Sequence, residues 1–420
     1  MSKAQRGNDE LSHPFTRRGG TWALIQVKAL MALPNYDENT SGHAALNDFD
    51  LVAANSGGSI VLGALVENLV LGDILALFEN ESQRRSIFSL AGLMDVVFHN
   101  LAENVARVVP QDSSLNLSGI VPKYSAKNKL SALRGVLPTM GSVPLAQATA
   151  GLHGHRSEGV HLLITGLDYD LNRAVFFRSS EVSGPQWGKG QIAEVTLAEA
   201  IHASTNAPVK YFDAPAEFTD RRGHRYWDGA IAGCNNPVLA GAAEAIGMGQ
   251  DPASLAVLSI GTGSVALRWP EPRQDSSPYV QPILEHGIVP DLRKVAASII
   301  DDPPDIATFL AHVMTGGGKG VKRPADSRIV RMSPLIRPVK KRDGTWSAPG
   351  SMTKAQFAYP ADLDLDAIEQ RQVDAISSYA DLWLKNMAPN QPIRMNGKTF
   401  KRELGQSTFG NAVRAWKAIR

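Results

Sequence analysis

Apolar residues follow two alternating patterns along the chain. The apolar runs at residues 49–54 and 255–260 are short and end in small, turn-forming residues, which is typical of buried strands. Residues 21–33 and 195–209 instead repeat apolar positions at helical spacing, and the second stretch stops near Pro208. Strands and helices that alternate in this way predict an α/β fold, with a parallel or mixed sheet and helices on its faces.

Residues 161–179 predict a strand hairpin. Two apolar runs there flank a turn-forming segment, Asp170 to Arg173. The nearly continuous apolar run that enters Gly261-Thr262-Gly263 is expected in the middle of the main sheet, since strands buried on both faces have this pattern. Residues 79–150 are mixed, and helices predicted at 89–109 and 127–137 are expected to form a surface layer.

The chain of 420 residues fits one large domain with an extension. We expect a polar tail at residues 1–12, a main domain at 13–336 and a partly helical C-terminal extension at 337–420. The extension is more charged and less periodic, apart from an amphipathic helix predicted at 365–386. That helix packs on the main domain, mediates assembly or touches a membrane surface, and the sequence leaves these three roles open.

Charge and composition narrow the classes of partner. With 43 basic and 41 acidic residues, the net charge of +2 gives no field that would draw the chain onto nucleic acid. One cysteine, Cys234, excludes an intramolecular disulfide and a multi-cysteine metal site. The first twenty residues lack the apolar core of a secretory signal, and Glu67, Asn68 and Asp73 interrupt the apolar stretch at 60–78. We therefore expect a cytoplasmic protein.

One turn carries candidate chemistry. Ala54-Asn55-Ser56-Gly57-Gly58 joins the strand at 49–54 to a long helix. A nucleophile elbow needs small residues two before and two after its serine, because strand and helix pass closely there, and Ala54 and Gly58 meet that demand. The same pentapeptide also suits a plain helix cap, so it does not establish catalysis alone.

Further segments strengthen the catalytic interpretation. Gly19-Gly20 precedes the elbow, Trp227-Asp228-Gly229-Ala230 follows well downstream, and Asn235-Asn236-Pro237 comes shortly after. The helix ending AIHASTNAPVKYF and the strand LSIGTG complete the order. In content and order, residues 17–335 resemble the patatin-like phospholipases.

The resemblance implies both a fold and a reaction. It implies a three-layer sandwich with a central, mostly parallel sheet and helices on both faces. Ser56 would be the nucleophile and Asp228 its general base, a dyad that hydrolyses carboxylic esters of lipids through an acyl-enzyme. The oxyanion hole would be formed by backbone N–H groups of Gly19, Gly20, Thr21 and Gly57. We expect no metal or other cofactor, a lipid or ester substrate and transient contact with a membrane surface; the oligomeric state is left open.

The oxyanion segment departs from the family pattern. The family has an apolar strand followed by Asp-Gly-Gly-Gly-x-Arg-Gly, whereas this chain has Arg17-Arg18-Gly19-Gly20-Thr21-Trp22-Ala23. Two glycines remain, and Trp22 takes the place of the usual arginine. Backbone N–H groups at Gly19 and Gly20 would still serve an oxyanion, while Arg17 and Arg18 cost more than glycine to orient at positive φ.

Three other interpretations stay open at this stage. A Ser-His-Asp hydrolase would need a histidine after Asp228, for which His286 and His312 are the candidates. A non-catalytic lipid-binding or scaffold protein could use the same fold with a degraded oxyanion loop. Ser59 lies within the helix and is expected to point away from the elbow, so it ranks below Ser56.

Overall fold

A computed structural model places most of the chain from Gly20 onward. The predicted helix at 89–109, the residues Arg17 and Arg18, and Gly19 all lie outside the described residues. The described ranges are 20–87, 125–157, 159–180, 195–208, 211–218, 224–263, 269–271, 279–282, 286–287, single positions between 291 and 299, 303–317, 327–363, 367–395 and 402–420.

Several helices begin where a polar side chain accepts from a free backbone N–H group. The Thr196 hydroxyl accepts from the Glu199 N–H, and the Glu199 carboxylate accepts from the Thr196 N–H. This pair is a capping box at the start of a fully buried helix. A 3-10 helix at Gly20–Ala23 runs directly into the first α-helix. The α-helices are α1 (Leu24–Met31), α2 (Gly42–Leu46), α3 (Gly57–Val66), α4 (Leu71–Glu79), α5 (Glu81–Ile87), α6 (Ala126–Val136), α7 (Leu197–Ser204), α8 (Val238–Gly247), α9 (Pro303–His312), α10 (Lys354–Asp362), α11 (Gln370–Leu384) and α12 (Phe409–Ile419).

The described strands form one five-stranded sheet and four two-stranded ones. The order in the large sheet is β1-β2-β5-β4, and β3 also pairs with β2. The small sheets are β6-β9, β7-β8, β10-β11 and β12-β13. The strands are β1 (Leu51–Ala54), β2 (His161–Asp168), β3 (Arg173–Arg178), β4 (Ala216–Glu217), β5 (Arg225–Asp228), β6 (Val257–Ile260), β7 (Trp269–Glu271), β8 (Val280–Pro282), β9 (Ile329–Met332), β10 (Val339–Lys340), β11 (Trp346–Ser347), β12 (Arg394–Met395) and β13 (Arg402–Leu404).

The large sheet is mixed, which differs from the mostly parallel sheet that the resemblance implied. Only β1 and β2 run parallel in it, whereas β2–β3, β2–β5 and β4–β5 are antiparallel. The connections explain this, because the short segments between β2 and β3 and between β4 and β5 have no room for the crossover that parallel neighbours require. The predicted hairpin is confirmed, with Asp168 opposite Arg173.

Strand β6 also lies elsewhere than predicted. It was expected in the middle of the main sheet, but among the described strands it pairs only with β9, in parallel. Strands β1 and β6 line a common cavity instead of exchanging backbone hydrogen bonds. The apolar side chains of β6 are partly buried and pack against the main core without joining the main sheet.

The C-terminal helices contribute to the main hydrophobic core. Val373, Ile376 and Trp383 of α11 and Trp416 of α12 belong to the same buried cluster as Trp22 and Leu24. A salt bridge of 2.6 Å between Lys28 of α1 and Asp381 of α11 adds a polar tie. Helix α11 confirms the predicted amphipathic helix and packs on α1, while the domain boundary near residue 336 stays a prediction. No helix within the described ranges is long and apolar enough to span a membrane.

Candidate active site

Ser56 occupies a strained position between β1 and α3. Its backbone has φ 50° and ψ −131°, a conformation that costs a non-glycine residue energy and persists only when the surroundings enforce it. The strand ends at Ala54 and the helix begins at Gly57, so the predicted strand, sharp turn and helix are confirmed.

Two neighbouring serines hold this turn. The N–H of Ser56 donates to Ser204 Oγ at 3.0 Å, which ties the turn to the end of α7. The hydroxyl of Ser59 donates to the Ser56 carbonyl at 2.6 Å. The predicted direction of Ser59 was therefore wrong, because its hydroxyl points back to the elbow, where it is engaged with the Ser56 carbonyl.

Asp228 ends β5 and is buried beside the turn. The N–H of Ala230 donates to its Oδ1 at 2.8 Å, and Asn55 Nδ2 donates to the same oxygen at 3.1 Å. The Ser56 hydroxyl acts on the same carboxylate and lowers its pKa. The structure therefore brings together the two residues that the sequence predicted as nucleophile and base.

The pKa of Asp228 is raised above the ordinary value for an aspartate. Burial is the main cause, because it disfavours the charged carboxylate. The Ala230 N–H, the Ser56 hydroxyl and the Asn55 amide, followed by the charge of Lys129, act in the opposite direction. A raised pKa makes the carboxylate a better proton acceptor once it is ionised.

Asn55 connects the parts of the site. Its Oδ1 accepts from the Thr165 hydroxyl of β2 at 2.6 Å and from the Ser204 hydroxyl at 3.5 Å, while its amide nitrogen donates to Asp228. A Cβ atom on Gly229 would lie 2.5 Å from Asn55 Oδ1 and 2.6 Å from Thr165 Oγ1. The glycine after Asp228 thus leaves room for this hydrogen-bonded contact.

Two residues of the predicted oxyanion hole, Gly20 and Gly57, lie together. A Cβ atom on Gly57 would be only 2.8 Å from both N and O of Gly20, so the two backbones are in close contact. Gly57 is the first residue of α3, and its N–H has no partner inside the helix. Gly20 has φ 51°. Thr21 is buried, and its hydroxyl has no hydrogen-bond partner within the described ranges.

Trp22 occupies the position of the family's arginine, and its side chain has no exposed surface. It belongs to the main hydrophobic core, together with α1 and α11. Burial of such a large aromatic side chain anchors the 3-10 helix strongly. The departure at Trp22 therefore exchanges an arginine for an apolar anchor of the same segment.

Gly57→Ala is expected to lower turnover by about 100-fold, because the new Cβ would meet backbone atoms of Gly20 and displace the oxyanion segment by a fraction of an ångström or more. Gly58→Ala is the matched control. Its Cβ would lie 3.3 Å from the end of the flexible Gln26 side chain, so turnover should stay within about threefold of wild type. Steady-state ester hydrolysis measures both, and equal losses in the two variants would contradict this assignment.

A cavity of about 220 Å³ opens beside Ser56. Ser56, Gly57 and Gly58 form one part of its wall, and apolar side chains of α1, α2, α3 and β6 form much of the rest. The apolar side chains include Leu30, Leu46, Val61, Leu62, Leu65 and Ile260. An apolar chain attached to a group at Ser56 would find a compatible surface there.

The histidine alternative gains no geometric support. His312 is buried on α9, and its Nδ1 lies 2.8 Å from Ser327 Oγ. His286 is exposed. Among the described residues, no cluster of three or more His, Cys, Asp or Glu side chains could hold a metal ion.

Sequence reasoning missed three polar residues of the site. Asn55, Thr165 and Ser204 hold the turn and the carboxylate in place, yet none was singled out as a site residue. Thr165 left a weak signal, since it is a polar residue within an apolar strand. Asn236 of the Asn-Asn-Pro segment ties this region to α9, since its amide nitrogen donates to Thr308 Oγ1 at 2.8 Å.

One comparison with known proteins identifies the family of the chain. A family model described as patatin-like phospholipase matches residues 19–241, more than half of the chain. No curated protein matches the chain. Among solved structures, the crystal structure of VipD from Legionella pneumophila matches with a TM-score of 0.31 and 11% sequence identity, over 87% of this chain and 65% of that one. By its matched region, this chain belongs to the patatin-like phospholipase family.

Proposed function

We propose that the protein is a lipid acyl hydrolase that cleaves carboxylic esters through an acyl-Ser56 intermediate, with Asp228 as general base. One observation carries the proposal. Ser56, held at positive φ, follows Asn55, whose amide donates to the buried Asp228 carboxylate at the end of β5, and the Ser56 hydroxyl acts on that same carboxylate. Such strain and burial serve no evident purpose in folding but suit a nucleophile and its base.

The first half of the reaction forms the acyl-enzyme. Ser56 Oγ attacks the ester carbonyl carbon while its proton passes to Asp228. The tetrahedral intermediate then collapses, the bond to the alcohol oxygen breaks, and Asp228 returns the proton to the departing alkoxide. An alcohol leaves, and the acyl group stays on Ser56.

The second half restores the enzyme. Water attacks the acyl carbon and gives a proton to Asp228, and the bond to Ser56 Oγ then breaks. Asp228 returns the proton to Ser56, and a carboxylic acid is released. The backbone N–H groups of Gly57 and Gly20 are proposed to stabilise the negative oxygen in both intermediates, with Gly19 and Thr21 as further predicted donors.

The cavity beside Ser56 supports a lipid as substrate. Its apolar wall suits an acyl chain, and the family acts on lipid esters. Burial of Ser56 and Asp228 also strengthens the electrostatic interactions of the dyad. Head group and chain length are set by contacts that the proposal does not specify.

Product analysis tests the proposal. Incubated with a mixed lipid extract, the wild-type protein should release free fatty acids and the matching deacylated lipids, detected by mass spectrometry. Ser56→Ala, at the same concentration, should release neither above the level without protein. A folded wild type that releases no product would support the non-catalytic lipid-binding or scaffold alternative.

A further inference from the structure

A fully buried lysine is linked to Asp228 through Asn206 and takes no part in the acyl-transfer steps. Lys129 projects from α6, and only 1% of its surface is exposed. Its Nζ donates to Asn206 Oδ1 at 2.9 Å and to the His202 carbonyl at 3.1 Å, and it lies 3.9 Å from the Phe212 ring centre. Burying an ammonium group is costly, so its partners must compensate for the lost water.

Asn206 links this lysine to the backbone of Asp228. Its side-chain oxygen accepts from Lys129, while its carbonyl accepts from the Asp228 N–H at 2.9 Å. The Asn206 amide nitrogen donates to the Ala214 carbonyl at 2.7 Å. Loss of the lysine would therefore free one side of Asn206 and loosen the end of β5.

The segment between α7 and β4 encloses the lysine from a second side. Asp213 Oδ1 accepts from the N–H of Ala126, the first residue of α6, at 2.9 Å. Lys129 follows within the same turn of that helix and contacts Asn206 and Phe212 on the same segment. Helix α6 and this segment are thus tied at two points, which fixes the position of the ammonium group.

Charge connects the lysine to the carboxylate as well. Lys129 acts on Asp228 as a positive charge, and Asp228 and Asp213 act on Lys129 as negative ones. Burial holds the pKa of Lys129 well below its usual value, and the two carboxylates oppose that shift.

The other titratable groups of this region are accounted for. His202 of α7 has a pKa well below its ordinary value, because it is buried and lies near the charges of Lys129 and Arg134, so it is neutral at neutral pH. Burial raises the pKa of the Cys234 thiol, and the charge of Asp228 adds to that shift, so the thiol is neutral too. Among the described groups, Lys129 is therefore the one whose positive charge counteracts the rise that burial causes in the pKa of Asp228.

We propose that Lys129 is a positioning residue for the Ser56–Asp228 pair, which fixes the Asp228 backbone through Asn206 and supplies a buried positive charge that keeps the carboxylate able to accept a proton. The proposal rests on the proposed function of Asp228 as the base. It gives α6 a part in the reaction although none of its residues lines the cavity beside Ser56.

The pH profile of kcat/KM separates this role from a purely structural one. Lys129→Met removes the charge and the hydrogen bonds, whereas Lys129→Gln removes the charge and keeps an N–H donor for Asn206. In both variants the acid limb for hydrolysis of p-nitrophenyl butyrate should move up by about one pH unit. At pH values below the limb, kcat/KM should therefore fall about tenfold, and at higher pH it should return toward the wild-type value.

Leu133→Val is the matched control, since Leu133 is buried on the same helix and carries no charge. It should lower activity equally at every pH, if at all. An acid limb that stays within about 0.2 pH unit of wild type in both lysine variants would overturn the proposal. So would a loss that is the same at every pH.

A second measurement does not depend on activity. The carboxyl carbon of Asp228, assigned with Asp228→Asn, can be titrated by ¹³C NMR in wild type and in Lys129→Gln. A higher midpoint in the variant supports the role of Lys129, and an unchanged midpoint rejects it. If the folded wild type neither hydrolyses esters nor reacts with a fluorophosphonate, the proposed function fails while the NMR comparison still decides whether Lys129 acts on Asp228.

Discussion

Ser56→Ala is expected to reduce ester hydrolysis by a factor on the order of 10⁵–10⁶. Without Oγ no acyl-enzyme can form, and the remaining residues only bind the substrate and polarise its carbonyl. Initial rates with a p-nitrophenyl ester, over a wide range of protein concentration, measure this loss. The positive φ at position 56 costs alanine about as much as serine, so the variant should fold like the wild type. Thermal unfolding checks this.

Ser59→Ala is the matched control for the nucleophile. The variant loses the hydrogen bond from Ser59 to the Ser56 carbonyl, which is worth about 1 kcal/mol, so turnover should fall by no more than about tenfold. An inactive Ser59→Ala together with an active Ser56→Ala would reverse the assignment of the nucleophile.

Asp228→Asn is expected to lower kcat by about 10³–10⁴-fold while the fold is retained. The amide has nearly the shape of the carboxylate but cannot accept the proton of Ser56. The wild type should also lose activity as the pH falls through the raised pKa of Asp228, because protonation removes the base. This acid limb should be absent from the residual activity of Asp228→Asn.

Asp168→Asn provides the comparison for Asp228. Asp168 is also buried, at the end of the adjacent strand β2, but its Oδ1 accepts from the Leu171 N–H of the hairpin turn. Asparagine keeps an oxygen that can accept this bond, and the lost charge faces His224 and the hairpin turn and not Ser56, so turnover should stay within about threefold of wild type. Equal losses in the two variants would mean that Asp228 acts on stability and not on proton transfer.

Local features of the fold were predictable from the sequence. The apolar run before Ser56, the small residues after it and the turn formers at residues 170–173 each determine their structure over a few residues. Strand direction was not predictable in this way. The antiparallel pairing of β5 with β2 joins residues about sixty positions apart, and the position of β6 depends on which distant strand it meets.

The residues of the candidate site likewise fall into those that a local motif identifies and those that depend on distant contacts. Ser56 and Asp228 were identified because each lies in a motif with its own spacing and order. Asn55, Thr165 and Lys129 were not identified, because their roles depend on contacts with residues far away in the sequence. Asn55 bonds Thr165 of β2 and Asp228 of β5, and Lys129 of α6 bonds Asn206. The role of Trp22 likewise became visible only from its burial against residues of the C-terminal helices.

Covalent labelling tests the central claim most directly, namely that Ser56 is a nucleophile activated by Asp228. The wild-type protein is treated with a fluorophosphonate, its intact mass is measured, and the modified peptide is mapped. We expect a single adduct on Ser56 in the wild type, none in Ser56→Ala, and labelling at least 100-fold slower in Asp228→Asn. A folded wild type that stays unlabelled, or an adduct on a residue other than Ser56, would contradict the account.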